Sequence, residues 1–140
     1  MASDEQRFGE IVRELRKKKG ISLRKFSAVI GVSPAYLSKI ERDEFAPPAE
    51  EKVRAIAEQL NQDPDELLAL AGRISSDLPE IIMQHPREFA TLLRTLDGAS
   101  REELRRFVRS VGRSMRRMER EEEAEEEEPE ELPDLWHQEE

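Results

Sequence analysis

Between Ser33 and Arg42 the stretch SPAYLSKIER sets Ser33, Ser38 and Lys39 among the apolar residues Leu37 and Ile40. Hydroxyls and an ammonium at this spacing suit the edges of bases in a DNA groove. Lysine donates to guanine acceptors, serine bonds to either edge, and a small methyl such as that of Ala35 fits against thymine. A second set of residues is cationic: Lys17, Lys18, Lys19, Arg24, Lys25 and Arg42, groups that neutralise phosphates without reading sequence. Bond-making chemistry has no comparable constellation. The chain has no cysteine nucleophile and no glycine-rich phosphate loop, and its two histidines, His85 and His137, stand in separate segments without ligand spacing. The glutamate run near the C-terminus lacks the turn of a calcium loop. No enzyme activity, cofactor or metal site is expected.

The elements that must carry these groups follow from apolar spacing. Leu23, Phe26, Ile30, Leu37 and Ile40 recur at steps of three, four or seven, the pattern of helices that bury one face. Gly31 stands between two such helices, where a left-handed backbone ends the first at no steric cost. Ser33 offers a hydroxyl to the amides of the next helix and Pro34 takes its first position. A helix, a Gly-Val-Ser turn and a second helix make a helix-turn-helix, whose second helix enters the major groove. That helix turns Ser33, Pro34, Ala35, Ser38 and Lys39 outward, and Tyr36 is placed to bond a phosphate. Upstream, a helix from about Asp4 to Lys19 faces Phe8, Ile11, Val12 and Leu15 inward. Its end, the basic cluster Arg16 to Lys19 stopped by Gly20, reads by itself as a capped, solvated terminus. Ser22 is the expected cap of the next helix.

Residues 7–71 resemble the DNA-binding domain shared by Cro, the lambda-type phage repressors and the wider Xre family. The resemblance is carried by Arg16, the Gly31-Val32-Ser33 turn, Tyr36-Leu37-Ser38-Lys39-Ile40-Glu41 and the following AEEKVRAIAEQLNQDPDELLALAG. It implies a five-helix domain in which Arg16 pairs with Glu41, a pairing that makes physical sense because a buried carboxylate needs a fixed cation. It also implies that helix 1 runs close to the DNA backbone. The chain departs from the family pattern in three respects: Leu23 stands where glutamine is common, Asp43 where glycine commonly ends the recognition helix, and the stretch RDEFAPPAEE is acidic and apolar where relatives contact the backbone. Weak phosphate contact by one protomer is expected, with Phe45 plugging its loop onto the core. Helix 4, from about Ala49 to Leu60, buries Val53, Ile56, Ala57 and Leu60. Helix 5, from about Pro64 to Ala71, is capped by Asp63, with Glu66 completing a capping box, and buries Leu67, Leu68 and Leu70. Gly72 closes a first domain of residues 5–72.

A second module is expected over 73–120. Asp77-Leu-Pro-Glu80 starts a helix, and Pro86 opens another with Phe89, Leu92, Leu93 and Leu96 on one stripe. Ser100-x-x-Glu103 is a capping box for a long last helix. On it Leu104, Val108, Val111, Met115 and Met118 are spaced four, three, four, three, a heptad seam that Phe107 widens. These six residues are the expected dimerisation surface, with packing inside one chain as the alternative. Eight arginines and three acids lie between Arg101 and Arg120, so a counter-charge is needed. Residues 121–140 hold twelve acids and no base: the helix has room to continue for a turn or two over 121–128, while the acid block with Pro129 and Pro133 makes the segment an expected acidic disordered tail that competes with DNA for the basic surface or only aids solubility. Within it, Leu132-Pro-Asp-Leu-Trp136 suits a short docking motif. The rest of the chain is mildly basic, so the net charge of −9 does not exclude DNA.

The expected protein is therefore all-α: a five-helix lambda-repressor-like DNA-binding domain, a small helical C-terminal dimerisation module and an acidic disordered tail. No apolar run approaches the roughly eighteen residues of a membrane span, and the N-terminus lacks the apolar segment of a signal peptide, so the cytoplasm is the expected setting. The resemblance implies a sequence-specific regulator of double-stranded DNA, a homodimeric repressor near its own gene. The alternative is an antitoxin-type interaction protein that binds a partner through its C-terminal module. A toxin or a repressor-inactivating metallopeptidase is the partner to expect.

Overall fold

The computed structural model describes residues 7–127. The described residues form eight helices and no strand, and none of these helices is long and apolar enough to cross a membrane. The chain divides into two compact units, one through Pro86 and one from Arg87.

The first unit begins with α1 (Phe8–Lys18), α2 (Leu23–Ile30), α3 (Pro34–Glu41), α4 (Glu50–Gln59) and α5 (Pro64–Leu70). Helix α1 packs on α3, α2 on both α3 and α4, and α4 on α5. The core is drawn from all five: Phe8, Val12, Phe26, Ile30, Leu37, Ile40, Val53, Ile56, Ala57, Leu60, Leu67 and Leu68 are buried. Several expectations are corrected. Leu70 is 45% exposed, because it lies in the last turn of α5, past the face that Leu67 and Leu68 turn to α4. Ile11 is only half-buried, whereas Leu15, also half-buried, packs against the core as expected. Helix α1 starts at Phe8 rather than near Asp4; Asp4 to Gln6 lie outside the described residues.

The start of α1 explains a departure that the sequence left open. Arg7 supplies no side-chain cap; instead Asp43, beyond the end of α3, accepts a hydrogen bond from the Gly9 amide at 2.9 Å. A carboxylate at a helix N-terminus satisfies a free amide and meets the positive end of the dipole. To reach it Asp43 adopts a left-handed backbone, φ 55°, a conformation aspartate tolerates better than most residues. Gly9 in turn lets the helices touch: a Cβ there would stand 2.1 Å from the Ile40 carbonyl oxygen and 2.7 Å from Asp43 Oδ1.

The first unit continues past Gly72. Arg73 donates to the carbonyls of Pro47, at 3.1 Å, and Pro48. Ser75 is buried and accepts from Arg54. The Ser76 amide and hydroxyl both donate to the Glu50 carboxylate at 2.8 Å. These bonds pin residues 73–76 along the start of α4, and the unit therefore includes α6 (Asp77–Gln84). The second unit holds most of α7 (Pro86–Leu96) and α8 (Arg101–Glu126). Gly98 turns the chain between them at φ 83°, and Ser100 with Glu103 forms the expected capping box. Residues 121–126 continue α8, the extra turn or two that the sequence allows there: glutamate is a good helix former and α8 is already nucleated. Residues 128–140, with the Trp136 motif, lie outside the described residues.

Two outcomes test this arrangement. Gly9→Ala is expected to lower the unfolding free energy by about 1–3 kcal/mol, read from the urea midpoint. The Glu50 carboxyl is held below its usual pKa by the Ser76 hydroxyl, then by the Ser76 amide and, more weakly, by Arg54. A depressed folded-state pKa contributes stability above the unfolded value of about 4.5, and this is lost as pH falls through the folded value. Glu50→Gln should lower the melting temperature at neutral pH, and the difference from the parent should shrink in acid below that value.

Candidate nucleic-acid interface

The sequence places its candidate base-reading groups on α3, so the quality of the site rests on how firmly α3 is held. Its start is local. Ser22 Oγ accepts from the Lys25 amide at 3.2 Å to begin α2, and Gly31, at φ 76°, ends that helix. The Val32 amide then bonds back to the Ser27 carbonyl at 3.0 Å and the Gly31 amide to that of Ala28 at 3.3 Å, a helix stop closed through a left-handed glycine. Ser33 Oγ accepts from the Tyr36 amide at 3.1 Å, and Pro34 opens α3. The turn is clamped from outside as well: Lys52 of α4 donates to the Ile30 carbonyl at 3.1 Å, placing a cation on the negative end of α2.

The far end of α3 is fixed by a buried ion pair. Arg16 Nε lies 3.0 Å from both Glu41 carboxylate oxygens, and Nη2 lies 2.7 Å from Oε1. Nη1 donates to the Ile21 carbonyl at 2.8 Å, so one guanidinium joins α1, the turn into α2 and the end of α3. Arg16 is 8% exposed and Glu41 3%. A planar fork that meets a carboxylate side-on satisfies both partners where water cannot.

With Leu37 and Ile40 buried on one side, α3 exposes Ser33, Pro34, Ala35 and Lys39, while Ser38 and Tyr36 are half-buried. Lys17, Lys18, Arg24 and Lys25 are exposed on either side of the turn between α1 and α2. Two of the other cations have work inside the chain. Lys19 donates its ammonium to the Gln59 carbonyl at the end of α4. Arg42 donates to the Ser38 carbonyl at 3.3 Å and pairs with Glu44 at 3.2 Å, an exposed pair of small energy.

Phe45 does not plug the core. It is 44% exposed and folds back onto α3, its ring centroid 5.8 Å from that of Tyr36 and 5.0 Å below the Lys39 ammonium. The left-handed step at Asp43 causes this, because it returns the Glu44 amide to the Lys39 carbonyl at 2.9 Å. The ring thus forms a platform beneath a base-reading candidate, a cation–π contact of modest energy at an exposed site. Phe45, Asp43 and Lys52 are the functional neighbours that sequence reasoning missed. The available signal was an aspartate where a left-handed residue is needed, followed two positions later by an aromatic.

A family model described as helix-turn-helix matches residues 12–67. The chain is 31% identical to SinR of Bacillus subtilis, the master regulator for biofilm formation, in a structure with DNA; the match covers 44% of this chain and 97% of that one, with a TM-score of 0.41. The chain belongs to the Xre/Cro-like helix-turn-helix family. Other members with solved structures are the DNA-binding domain of the P22 c2 repressor, 35% identical over 46% of this chain and 84% of that one with a TM-score of 0.43, and the clp gene regulator ClgR of C. glutamicum, 28% identical over 49% and 87% with a TM-score of 0.41. No curated protein matches the chain. The Xre/Cro-like family consists of DNA-binding regulators, and the matched residues contain α2, α3 and both members of the Arg16–Glu41 pair.

The pair sets a clear expectation. Glu41→Ala leaves a buried guanidinium without its partner and should cost about 3–5 kcal/mol, enough to shift the thermal midpoint of this small domain by tens of degrees or to unfold it, as followed by circular dichroism.

Proposed function

We propose that this Xre-family chain is a cytoplasmic, sequence-specific transcriptional repressor that binds double-stranded DNA as a homodimer at an operator near its own gene. The observation that carries the reading is the exposed face of α3, Ser33, Pro34, Ala35 and Lys39, backed by a buried ion pair that holds the helix at a fixed angle to α1. In this reading Lys39 donates to guanine acceptors from its seat on Phe45, Ser38 and Ser33 bond base edges, and Ala35 meets a thymine methyl. Lys17, Lys18, Arg24, Lys25, Tyr36 and Arg42 contact phosphates. Lys19 joins them only by giving up its bond to Gln59.

The dimer follows from the modest charge of this surface. One unit with few unengaged cations and an acidic loop after α3 binds weakly, and two recognition helices set about one DNA turn apart multiply that affinity. Leu104, Phe107, Val108, Val111, Met115 and Met118 supply the dimer surface. Val108, Val111, Met115 and Met118 are between 41% and 67% exposed in the single chain, which supports their being covered by another molecule.

Fluorescence anisotropy with duplex DNA from upstream of the gene, against a scrambled duplex at two salt concentrations, tests the proposal. The full chain should prefer the upstream duplex. Lys39→Ala should lose about 1–3 kcal/mol of that preference, whereas Lys25→Ala should weaken both duplexes alike and lower the salt slope by about one. Equal affinity for both duplexes at both salt concentrations would overturn sequence-specific repression.

A further inference from the structure

Helix α8 is uneven in charge along its length. Its first two and a half turns carry Arg101, Arg105, Arg106 and Arg109 against Glu102 and Glu103, its middle carries Arg113, Arg116, Arg117 and Arg120 against Glu119, and its last two turns, from residue 121, carry only acids among their charged residues. Between these ends runs the apolar stripe of Val108, Val111, Met115 and Met118, exposed by 67%, 41%, 51% and 53%. Its spacing gives the heptad phase: Val108 and Met115 occupy the a position, Val111 and Met118 the d position. The flanking e positions are then Arg105, Gly112 and Glu119.

We propose that α8 pairs antiparallel with α8 of a second copy of this chain, the charge gradient selecting the direction. This rests on the dimeric reading above and adds its orientation. In antiparallel packing a layers face d layers, so Val108 meets the partner's Met118 and Val111 meets the partner's Met115. The e positions face each other across the same seam. Arg105 lies beside the partner's Glu119, and Gly112 beside the partner's Gly112, where a missing side chain leaves room on the flank. The acidic end of each helix then lies along residues 101–105 of the other, which carry two arginines and two glutamates, rather than along six more glutamates.

The parallel alternative stacks the six glutamates of residues 121–127 on six more and the basic start on its own copy. Paired helices lie 8–10 Å apart, about one Debye length at physiological salt, so these like charges repel across the whole contact. A second copy fits better than an unrelated partner. It supplies in one helix an apolar stripe of the same length and the reversed order of charge.

The chain has no cysteine, so Arg105→Cys and Glu119→Cys each introduce a single thiol into the full chain. At 1.5 Å of rise per residue, like positions at 105 or at 119 lie roughly 20 Å apart in the antiparallel dimer and one helix spacing apart in the parallel one. With a thiol cross-linker about one helix spacing long, each variant alone should sediment as a dimer and stay uncoupled, and a mixture of the two should couple 105 to 119. In a separate arm, Glu119→Arg should weaken dimerisation about tenfold by losing two exposed pairs and creating two repulsive ones, and adding Arg105→Glu should restore it. Coupling of each variant to itself would overturn the orientation and leave the dimer standing. A dimer with no coupling in any mixture would overturn α8 as the interface, and a monomer at tens of micromolar would overturn the dimeric reading itself.

Discussion

One guanidinium organises the first unit. Arg16 sits at the end of α1, donates to the Ile21 carbonyl in the turn toward α2, and holds the last residue of α3 by three short contacts to the Glu41 carboxylate. Burial makes this arrangement demanding, because each charge would be far costlier without the other than the pair is together. The same demand gives it directional strength. A greasy contact between α1 and α3 tolerates sliding, whereas a forked donor facing a carboxylate permits little. The exposed face of α3 is therefore set in direction by a pair buried beneath it.

Other long-range bonds repeat the logic at the remaining corners. Asp43 caps α1 from thirty-four residues away, Lys52 caps α2 from α4, and Lys19, just past the end of α1, reaches the end of α4. In each case a helix terminus with unsatisfied backbone groups is completed by a charged side chain from a distant part of the chain. With a core of only twelve buried apolar residues, such tertiary caps give the domain a single arrangement that hydrophobic burial alone would specify loosely. The strap of residues 73–76 along α4 extends the same principle past the fifth helix.

The second unit follows different rules. None of its described residues is buried, and its long helix is stabilised by its capping box, an i to i+4 pair of Glu102 with Arg106 at 3.4 Å, and helix-favouring residues. A helix of this kind leaves its apolar stripe available. The contrast is between a first unit interlocked by buried charge and tertiary caps and a second unit whose helices keep their apolar stripes exposed.

Local chemistry was legible in the sequence because its causes lie within a few residues. Ser22, Gly31, Ser33, Pro34, Asp63, Ser100 and Glu103 mark helix ends by side-chain and backbone bonds that span three to five positions, and these appear where their types require. The apolar spacing picked out Phe8, Val12, Phe26, Ile30, Leu37 and Ile40 as core for the same reason. Leu70 and Phe45 misled, because hydrophobicity states a preference for burial without saying whether a partner surface is within reach. Tertiary structure alone decided that Asp43 caps α1, that Gly9 admits Ile40's carbonyl, that Lys52 and Lys19 serve as caps, and that Phe45 lies under Lys39. Each joins residues far apart in the chain, and such contacts exist only once packing has set the distance and angle between helices.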